Sequence, residues 1–242
     1  AGRRRSLALD AHGLAADLYF EVLSVYSADL RPDDDFILSF IGPKSEAQES
    51  KAKISTFLQE KLHLEMSPSK TLITHARTQH ARFLGYAISV YQSNDKITPR
   101  TGTKVSTRSV NGCIRLGIPY GRIDERASYY LHNGKPIHEA GVLAFSDAQI
   151  IDVYQRRFRG FAEYYKYAVD RHHLGKLKYV MENALVKTLS LKYKISVSQI
   201  YRKYAENRTI DEHSYKVLMV RVPRKKGTKE VYWGAIPLKV MK

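Results

Sequence analysis

Two blocks of apolar periodicity divide this chain of 242 residues. In the first block, apolar runs at 35–41 and 83–91 predict buried strands. Helical spacing between them predicts a helix that continues to about residue 62. Ser45 and Gln48 have the spacing of a capping box, in which a hydroxyl and an amide each satisfy a free backbone N–H, so the helix is predicted to begin at Ser45. The first block therefore reads as strand, helix, strand.

Weaker patterns lie on either side of this block. Residues 14–26 are apolar enough for a short helix, whereas 92–112 have no period and predict a loop or linker. Residues 113–120 alternate as a short strand, and 122–132 predict a helix. The sequence Asn133-Gly134-Lys135-Pro136 predicts a turn or the end of that helix.

The second block predicts three consecutive amphipathic helices, which form a small bundle. The first begins at Ser146 with Gln149 as its capping partner, and the third begins near Ser196 or Ser198. The positions predicted to face the core are Ile150, Tyr154, Phe158, Phe161 and Tyr165 in the first helix, Leu174, Leu177, Met181, Leu185, Thr188 and Leu189 in the second, and Ile200 and Tyr204 in the third.

The last part of the chain predicts a β-hairpin, with strands at 216–222 and 230–238 joined around 225–227. The whole pattern predicts an α+β protein. No apolar run has the length needed to span a membrane, so no membrane partner is expected. Cys113 is the only cysteine, which excludes a disulfide framework and a zinc-finger module and fits a reducing compartment.

Charge is distributed unevenly along the chain, whose net charge is +16. Residues 1–95 hold 11 Lys and Arg against 12 Asp and Glu, while 96–242 hold 29 against 12. So large a local excess of cations favours a polyanionic partner, and RNA is the expected one.

The cations of the second block are concentrated on the predicted helices, where few acids accompany them. A solvated helix face usually mixes charges of both signs, so this one predicts phosphate contacts. Tyr164 and Tyr165 either offer a ring for stacking on an unpaired base or divide between the core and the surface. The residues predicted to bind RNA here are Arg156, Arg157, Arg159, Tyr164, Tyr165, Lys166, Lys176, Lys178, Lys187, Lys192, Lys194, Arg202 and Lys203.

Three adjacent carboxylates, Asp33, Asp34 and Asp35, lie between Pro32 and the apolar run at 35–41. Adjacent carboxylates repel each other and lose solvation beside a buried strand. Two interpretations stay open on spacing alone. One is an acidic turn, and the other is a Mg²⁺ site of the kind that supports phosphoryl transfer.

Several motifs occur in a fixed order along the chain, beginning with Asp34-Asp35-Phe36-Ile37-Leu38 and Gly42-Pro43-Lys44-Ser45-Glu46-Ala47. These two resemble the active-site hairpin of group II intron reverse transcriptases, the maturases. The resemblance covers roughly residues 31 to 240. The motifs that extend it are Ser67-Pro68-Ser69-Lys70-Thr71, Ala81-Arg82-Phe83-Leu84-Gly85-Tyr86, Phe158-Arg159-Gly160-Phe161 with Tyr164-Tyr165, and Lys187-Thr188-Leu189 with Lys192-Tyr193-Lys194.

The resemblance implies a domain order. It implies a truncated reverse-transcriptase palm at 31–95, a connector at 96–139, the RNA-binding thumb called domain X at 140–205 and a hairpin tail at 206–242, after a segment of unclear role at 1–30. It also implies that Lys70 and Arg82 lie near bound RNA.

Departures from the family pattern suggest an inactive palm. The family hairpin reads Tyr-Ala-Asp-Asp, whereas Pro32 and Asp33 stand where its Tyr and Ala are expected. No earlier aspartate lies in the context of the third palm carboxylate. Asp34 and Asp35 are therefore predicted to be the remnant of a metal site, without catalysis and without a resident cofactor. Mg²⁺ is expected only if another chain completes the palm.

The predicted function is binding and stabilisation of a structured group II intron RNA during splicing, in mitochondria or another reducing compartment that contains RNA. A protein partner is expected to cover the truncated palm. Two alternatives remain. One is a structural subunit of a large organellar ribonucleoprotein such as a mitochondrial ribosome, bound to ribosomal RNA. The other is one half of a split, active reverse transcriptase.

Overall fold

A computed structural model of the chain describes residues 18–26, 35–67, 71–91, 97–99, 106–108, 112–210, 213–225, 227–236 and 238. The fold is α+β, as predicted, with five α-helices and several small antiparallel sheets among these residues. Contacts group the chain into two compact units, Ala1–Pro119 and Tyr120–Lys242, called unit 1 and unit 2 below. Across the described ranges, none of the helices has the length and apolarity of a membrane span.

The first sheet of unit 1 is built around strand β1 (Leu18–Tyr26). Strand β2 (Asp35–Ile41) pairs with it antiparallel, from Leu18 opposite Ile41 to Ser24 opposite Asp35. Strand β3 (Glu65–Met66) pairs with the end of β1, and β4 (Leu72–His75) takes the edge opposite β2.

The sheet confirms the predicted strand at 35–41 and shows that the predicted helix at 14–26 is wrong. The described part of that segment, 18–26, is a strand paired along both edges. Periodicity cannot separate a short buried strand from a short helix, so the pairing decides.

Helix α1 (Lys44–Leu62) ends where the pattern predicts, but its predicted capping box is wrong. Pro43 occupies the N-cap position, no side chain caps the helix, and Ser45 lies inside the first turn. The helix thus begins one residue before Ser45, directly after a proline that restricts the preceding backbone.

The stretch at 83–91 forms the turn and second strand of a hairpin rather than one strand. Strand β5 (Ala81–Phe83) and strand β6 (Tyr86–Val90) are joined at Leu84 and Gly85, which both have positive φ, 45° and 70°. Two consecutive residues with positive φ are typical of two-residue hairpin turns, whose backbone twist matches the right-handed twist of the flanking strands. The tetrapeptide Phe-Leu-Gly-Tyr is therefore a turn in this fold.

Two more pairings complete unit 1. Strand β9 (Ile114–Gly117) pairs with β6 and confirms the centre of the strand predicted at 113–120. Strands β7 (Ile97–Pro99) and β8 (Ser106–Arg108) pair inside the segment predicted to be a loop, which is a further correction. One cluster of buried residues in this unit lies where the sheets meet, and it consists of Phe20, Ala76, Ala81, Ile88 and Val90.

Replacing Leu84 with Asn is expected to stabilise the β5–β6 hairpin by about 1 kcal/mol, because a left-handed backbone costs most L-residues about that much while Asn tolerates it. Hydrogen exchange of the β6 amides should slow. Gly85→Ala is the matched control, and the same amides should exchange faster because alanine is strained at this positive φ. Equal exchange in the two variants would show that turn conformation does not limit this hairpin.

Unit 2 begins with helix α2 (Arg122–Ser128), which ends earlier than the predicted 132. Strands β10 (Leu131–His132) and β11 (Lys135–Pro136) follow and form a hairpin. Its turn, Asn133 and Gly134, has φ of 49° and 73°. The predicted turn is confirmed, and its hairpin accounts for the early end of α2.

The three predicted helices of the second block are confirmed as α3 (Asp147–Tyr164), α4 (Leu174–Tyr193) and α5 (Val197–Tyr204). Ser146 with Gln149 and Ser196 with Gln199 form complete capping boxes. The predicted core positions are buried, apart from the half-buried Phe161.

The sheet of unit 2 has three strands, β12 (Ala205–Ile210), β13 (His213–Arg224) and β14 (Gly227–Trp233). The predicted hairpin is confirmed, with strand ends that differ: β13 starts earlier and β14 stops at Trp233. The strand β12 was missed. The fully buried Trp233 packs against Tyr154 and Phe158 of α3, with ring centroids 6.5 and 5.4 Å away, so this sheet shares one core with the helices.

Candidate RNA interface

Two lysines of α4 that were predicted to bind RNA donate hydrogen bonds inside unit 2. Lys178 Nζ lies 2.6 Å from the carbonyl oxygen of Gly234, and Lys187 Nζ lies 2.7 Å from that of Pro136. Burial lowers the pKa of Lys178. Each lysine ties α4 to a strand end or hairpin that is distant in the sequence.

Two further lysines of α4 face carboxylates. Lys176 forms an ion pair with Asp124 of α2, and Lys192 Nζ lies 3.1 Å from Asp147 Oδ1 at the start of α3. The pair at Lys176 is largely exposed, whereas the pair at Lys192 is mostly shielded from solvent. These four lysines, Lys176, Lys178, Lys187 and Lys192, are called the engaged set below. Their predicted contact with RNA stays untested, and each has an intramolecular partner.

Arg157 holds the segment before α3 against the helices. Its Nη1 lies 2.9 and 2.8 Å from the two carboxylate oxygens of Glu139. Glu139 also accepts a hydrogen bond from the Tyr129 hydroxyl at 3.0 Å, and its backbone N–H donates to Thr188 Oγ1 at 3.0 Å. Burial alone would lower the pKa of Arg157, but the hydrogen bonds to Glu139 outweigh it and raise that pKa.

Other predicted cations remain at the surface of α3. Arg156 is exposed and paired with Asp152 through a 2.9 Å contact one helical turn away. Arg159 is exposed and has no hydrogen-bond or ion-pair partner among the residues that the structure describes. Lys166 Nζ lies 4.9 Å from the ring centre of Tyr167.

A second exposed group surrounds α5. Lys194 ends α4 in a left-handed conformation, with φ of 54°. Lys203 Nζ lies 4.0 Å from the ring centre of Tyr193, so the cation and the ring form one surface. Arg202 is exposed beside them. Arg159, Lys194, Arg202 and Lys203 form no ion pair within the described part of the chain, and they are called the free set below.

The two adjacent tyrosines have different environments. Tyr165 is buried in the core, whereas Tyr164 is 52% exposed, and their rings meet edge to face at 5.0 Å. Of the two interpretations of this tyrosine pair, the structure agrees with the one that places one ring in the core and the other at the surface. Base stacking stays a prediction, and only Tyr164 has the exposure for it.

The predicted sites in unit 1 are only partly described. Arg82 is exposed on β5, opposite Ala87. Asp35 is the first residue of β2, while Asp34 and Lys70 lie outside the described residues. Within the described ranges, His, Cys, Asp and Glu side chains nowhere form a group of three that could hold a metal ion.

The cations of β12, β13 and β14 were missed by the sequence analysis. On the outer face, Arg208 Nη1 contacts Glu230 Oε2 at 2.6 Å, and Arg221 pairs with Glu206 and Glu230. Cross-strand register produces these pairs: Arg221 lies opposite Glu230 within the β13–β14 hairpin, whereas Glu206 and Arg208 come from β12. The terminal hairpin alone therefore could not have shown the two pairs that involve β12.

Comparison with known proteins supports the resemblance to the maturases. Residues 123–230 match the family model described as type II intron maturase. The chain is a relative of the group II intron maturases. The matched region runs from α2 into β14 and lies within unit 2. The match to the maturase family therefore includes the helices of unit 2 and most of its three-stranded sheet.

Individual maturase relatives agree with the family match. The chain is 34% identical to group II intron-encoded protein LtrA of Lactococcus lactis subsp. cremoris, over 70% of this chain and 29% of that protein. It is 28% identical to maturase K of Chara vulgaris, over 74% and 36%, and 30% identical to the COX1/OXI3 intron 1 protein of Saccharomyces cerevisiae, over 81% and 24%. The chain spans about a quarter to a third of the length of these curated relatives.

Replacing Asp147 with Asn in this maturase relative is expected to lower the free energy of unfolding by about 1–2 kcal/mol near neutral pH. Burial would raise the pKa of Asp147, but hydrogen bonds from Tyr193, Tyr204 and Lys192 outweigh it and lower that pKa. A carboxyl with a lowered folded pKa stabilises above its unfolded pKa of about 3.9 and loses that contribution as the pH falls.

The measurement is the unfolding midpoint of both proteins from pH 6 down to about pH 2.5, which brackets the titration. The difference in midpoint between the wild-type protein and the Asp147→Asn variant should narrow as the pH falls below about 4. A difference that stays constant over the range would mean that the negative charge of Asp147 does not contribute.

Proposed function

We propose that this chain binds the folded RNA of a group II intron and stabilises it for splicing, while the RNA performs the chemistry. The observation that carries the proposal is the division of cations in unit 2. This unit contains 24 Lys and Arg against 12 Asp and Glu. The engaged set ties α4 to other elements, while the free set lies exposed without an anionic partner among the described residues, which suits contact with phosphates.

Such contacts position an RNA more than they read its sequence. Arg and Lys neutralise phosphates and release counterions, and an exposed ring such as Tyr164 supports an unpaired base. The proposed role is therefore recognition of a folded shape. In this proposal 140–205 act as the RNA-binding thumb, 31–95 act as a palm with Lys70 and Arg82 near the RNA, and a protein partner covers that palm.

The proposal can be tested by crosslinking the chain to RNA in its native cells and sequencing what is recovered. Intron RNA supports the proposed role. Recovery of ribosomal RNA alone would contradict it and favour the ribonucleoprotein subunit. The names of the three relatives above refer to introns or to maturases, which supports the first outcome. The relative in a COX1 intron also supports a mitochondrial location.

We expect no polymerase activity from this chain. The matching family model is that of the maturase domain, and two-metal phosphoryl transfer needs carboxylates on both sides of the ions. Purified chain with Mg²⁺, a primer and an RNA template should give no extension above background. Extension that disappears in Asp34→Ala would contradict this and favour the split reverse transcriptase.

A further inference from the structure

A pocket of about 300 Å³ lies in unit 2 between the first turns of α3 and the tip of the β13–β14 hairpin. Its apolar wall consists of Ala148, Val222 and Val231, and two cations, Arg224 and Lys229, lie on its hairpin side. Asp152 lines it from α3. The pocket thus combines an aliphatic surface, a paired positive charge and one carboxylate.

Strand register explains why two cations face this pocket. Val222 pairs with Lys229, Val220 with Val231 and Leu218 with Trp233. Side chains alternate between the two faces of a strand, so Lys229 and Val231 share the face of the buried Trp233, which packs on α3. Arg224, two residues beyond Val222, lies on this inner face as well.

The inner cations differ from those on the outer face of the same hairpin. Arg208 is paired with Glu230, and Arg221 is paired with Glu206. Arg224 and Lys229 are exposed and have no ion-pair partner among the residues that the structure describes. These two cations are therefore available to an anionic ligand at this tip.

The remaining lining residues narrow the kind of anion. A free phosphate gains nothing from the valine wall and is repelled by Asp152, whereas a nucleotide offers a flat ring as well as a phosphate. The volume lies at the lower end of the range for ligand pockets, about 300–1,000 Å³, and suits one nucleotide rather than a duplex. We infer that this pocket receives a single unpaired nucleotide of the bound RNA, with its base on the valine wall and its phosphate against Arg224 and Lys229.

The carboxylate gives the pocket a base preference. Asp152 Oδ2 lies 2.9 Å from Arg156 Nε but keeps a second lone pair, so both carboxylate oxygens can accept from a pair of adjacent N–H donors. The Watson–Crick edge of guanine carries adjacent ring and amino N–H groups, so guanine is the preferred base. The inference rests on the proposed function for the identity of the ligand as RNA, but the pocket can be tested with mononucleotides alone.

The test uses the full chain with labelled valine methyl groups and follows its NMR spectrum during titration. GMP should shift the methyl signals of Val222 and Val231 more than AMP or UMP, and inorganic phosphate should not. Asp152→Asn should remove the preference for GMP. Equal shifts with inorganic phosphate would show that the pocket reads only the phosphate, which overturns the inference.

Binding of intron RNA gives the second readout. The double variant Arg224→Gln with Lys229→Gln should weaken it by about tenfold and should abolish the GMP shifts. The control Arg208→Gln with Arg221→Gln removes the same charge from the outer face and should keep the GMP shifts. Tight RNA binding by the wild-type chain without any GMP shift overturns the pocket and leaves the proposed function intact. GMP shifts without binding of intron RNA support the pocket and contradict the proposed function.

Discussion

Replacing all four residues of the free set with glutamine should weaken binding of group II intron RNA about tenfold or more at moderate salt and leave the unfolding midpoint unchanged. The set comprises Arg159, Lys194, Arg202 and Lys203, which are exposed and form no ion pair within the described residues. Each lost phosphate contact removes about one unit from the slope of log affinity against log salt concentration. Filter binding at several salt concentrations measures that slope.

The engaged set is the matched control, because replacing Lys176, Lys178, Lys187 and Lys192 with glutamine removes the same charge. These lysines bond to carbonyl or carboxylate oxygens of other elements, so their loss should lower the unfolding midpoint. At temperatures below that midpoint, the slope of log affinity against log salt concentration should stay near the wild-type value. A flatter slope for this variant with an unchanged slope for the free set would place the binding face on α4 and refute the assignment.

Replacing Trp233 with Ala should lower the free energy of unfolding of unit 2 by about 3–5 kcal/mol. Trp233 is 1% exposed, and its rings contact Tyr154 and Phe158. Its Nε1 donates to Glu182 Oε2 at 3.2 Å. The change therefore leaves a large cavity where the sheet meets α3 and removes a partner from a carboxylate on α4.

Denaturant unfolding followed by circular dichroism gives this free energy. Trp233 is the only tryptophan, so its fluorescence reports independently on unit 2 in the wild-type chain. Trp233→Phe should lose much less stability, since it keeps most of the buried ring and gives up only the hydrogen bond to Glu182. Tyr179→Ala removes an aromatic side chain that is 67% exposed and should stay within about 0.5 kcal/mol of wild type. A small effect at Trp233 would mean that the sheet is not part of the helical core.

The helices of unit 2 could be predicted from the sequence because their signals are local. A capping box needs only Ser146 and Gln149, three residues apart, and an apolar stripe such as Ile150, Tyr154 and Phe158 repeats within a few turns. Such patterns determine which side of a helix is buried before any partner is known. The Asn133-Gly134 turn was readable for the same reason, since its dihedral preference belongs to those two residues.

Tertiary structure decided the features that depend on distant partners. Residues 18–26 are a strand because β2 and β4 flank them, and β12 exists because β13 pairs with it.

By itself the sequence determined the amount of positive charge in this protein, its helical faces and its resemblance to the maturases. Only the fold decided which cations are available to RNA. Lys178 meets a carbonyl 56 residues away and Lys187 one 51 residues away, so helix position alone could not separate them from Arg159 or Arg202. The physical reason is that a long cationic side chain binds whichever oxygen the packing of other elements brings within reach.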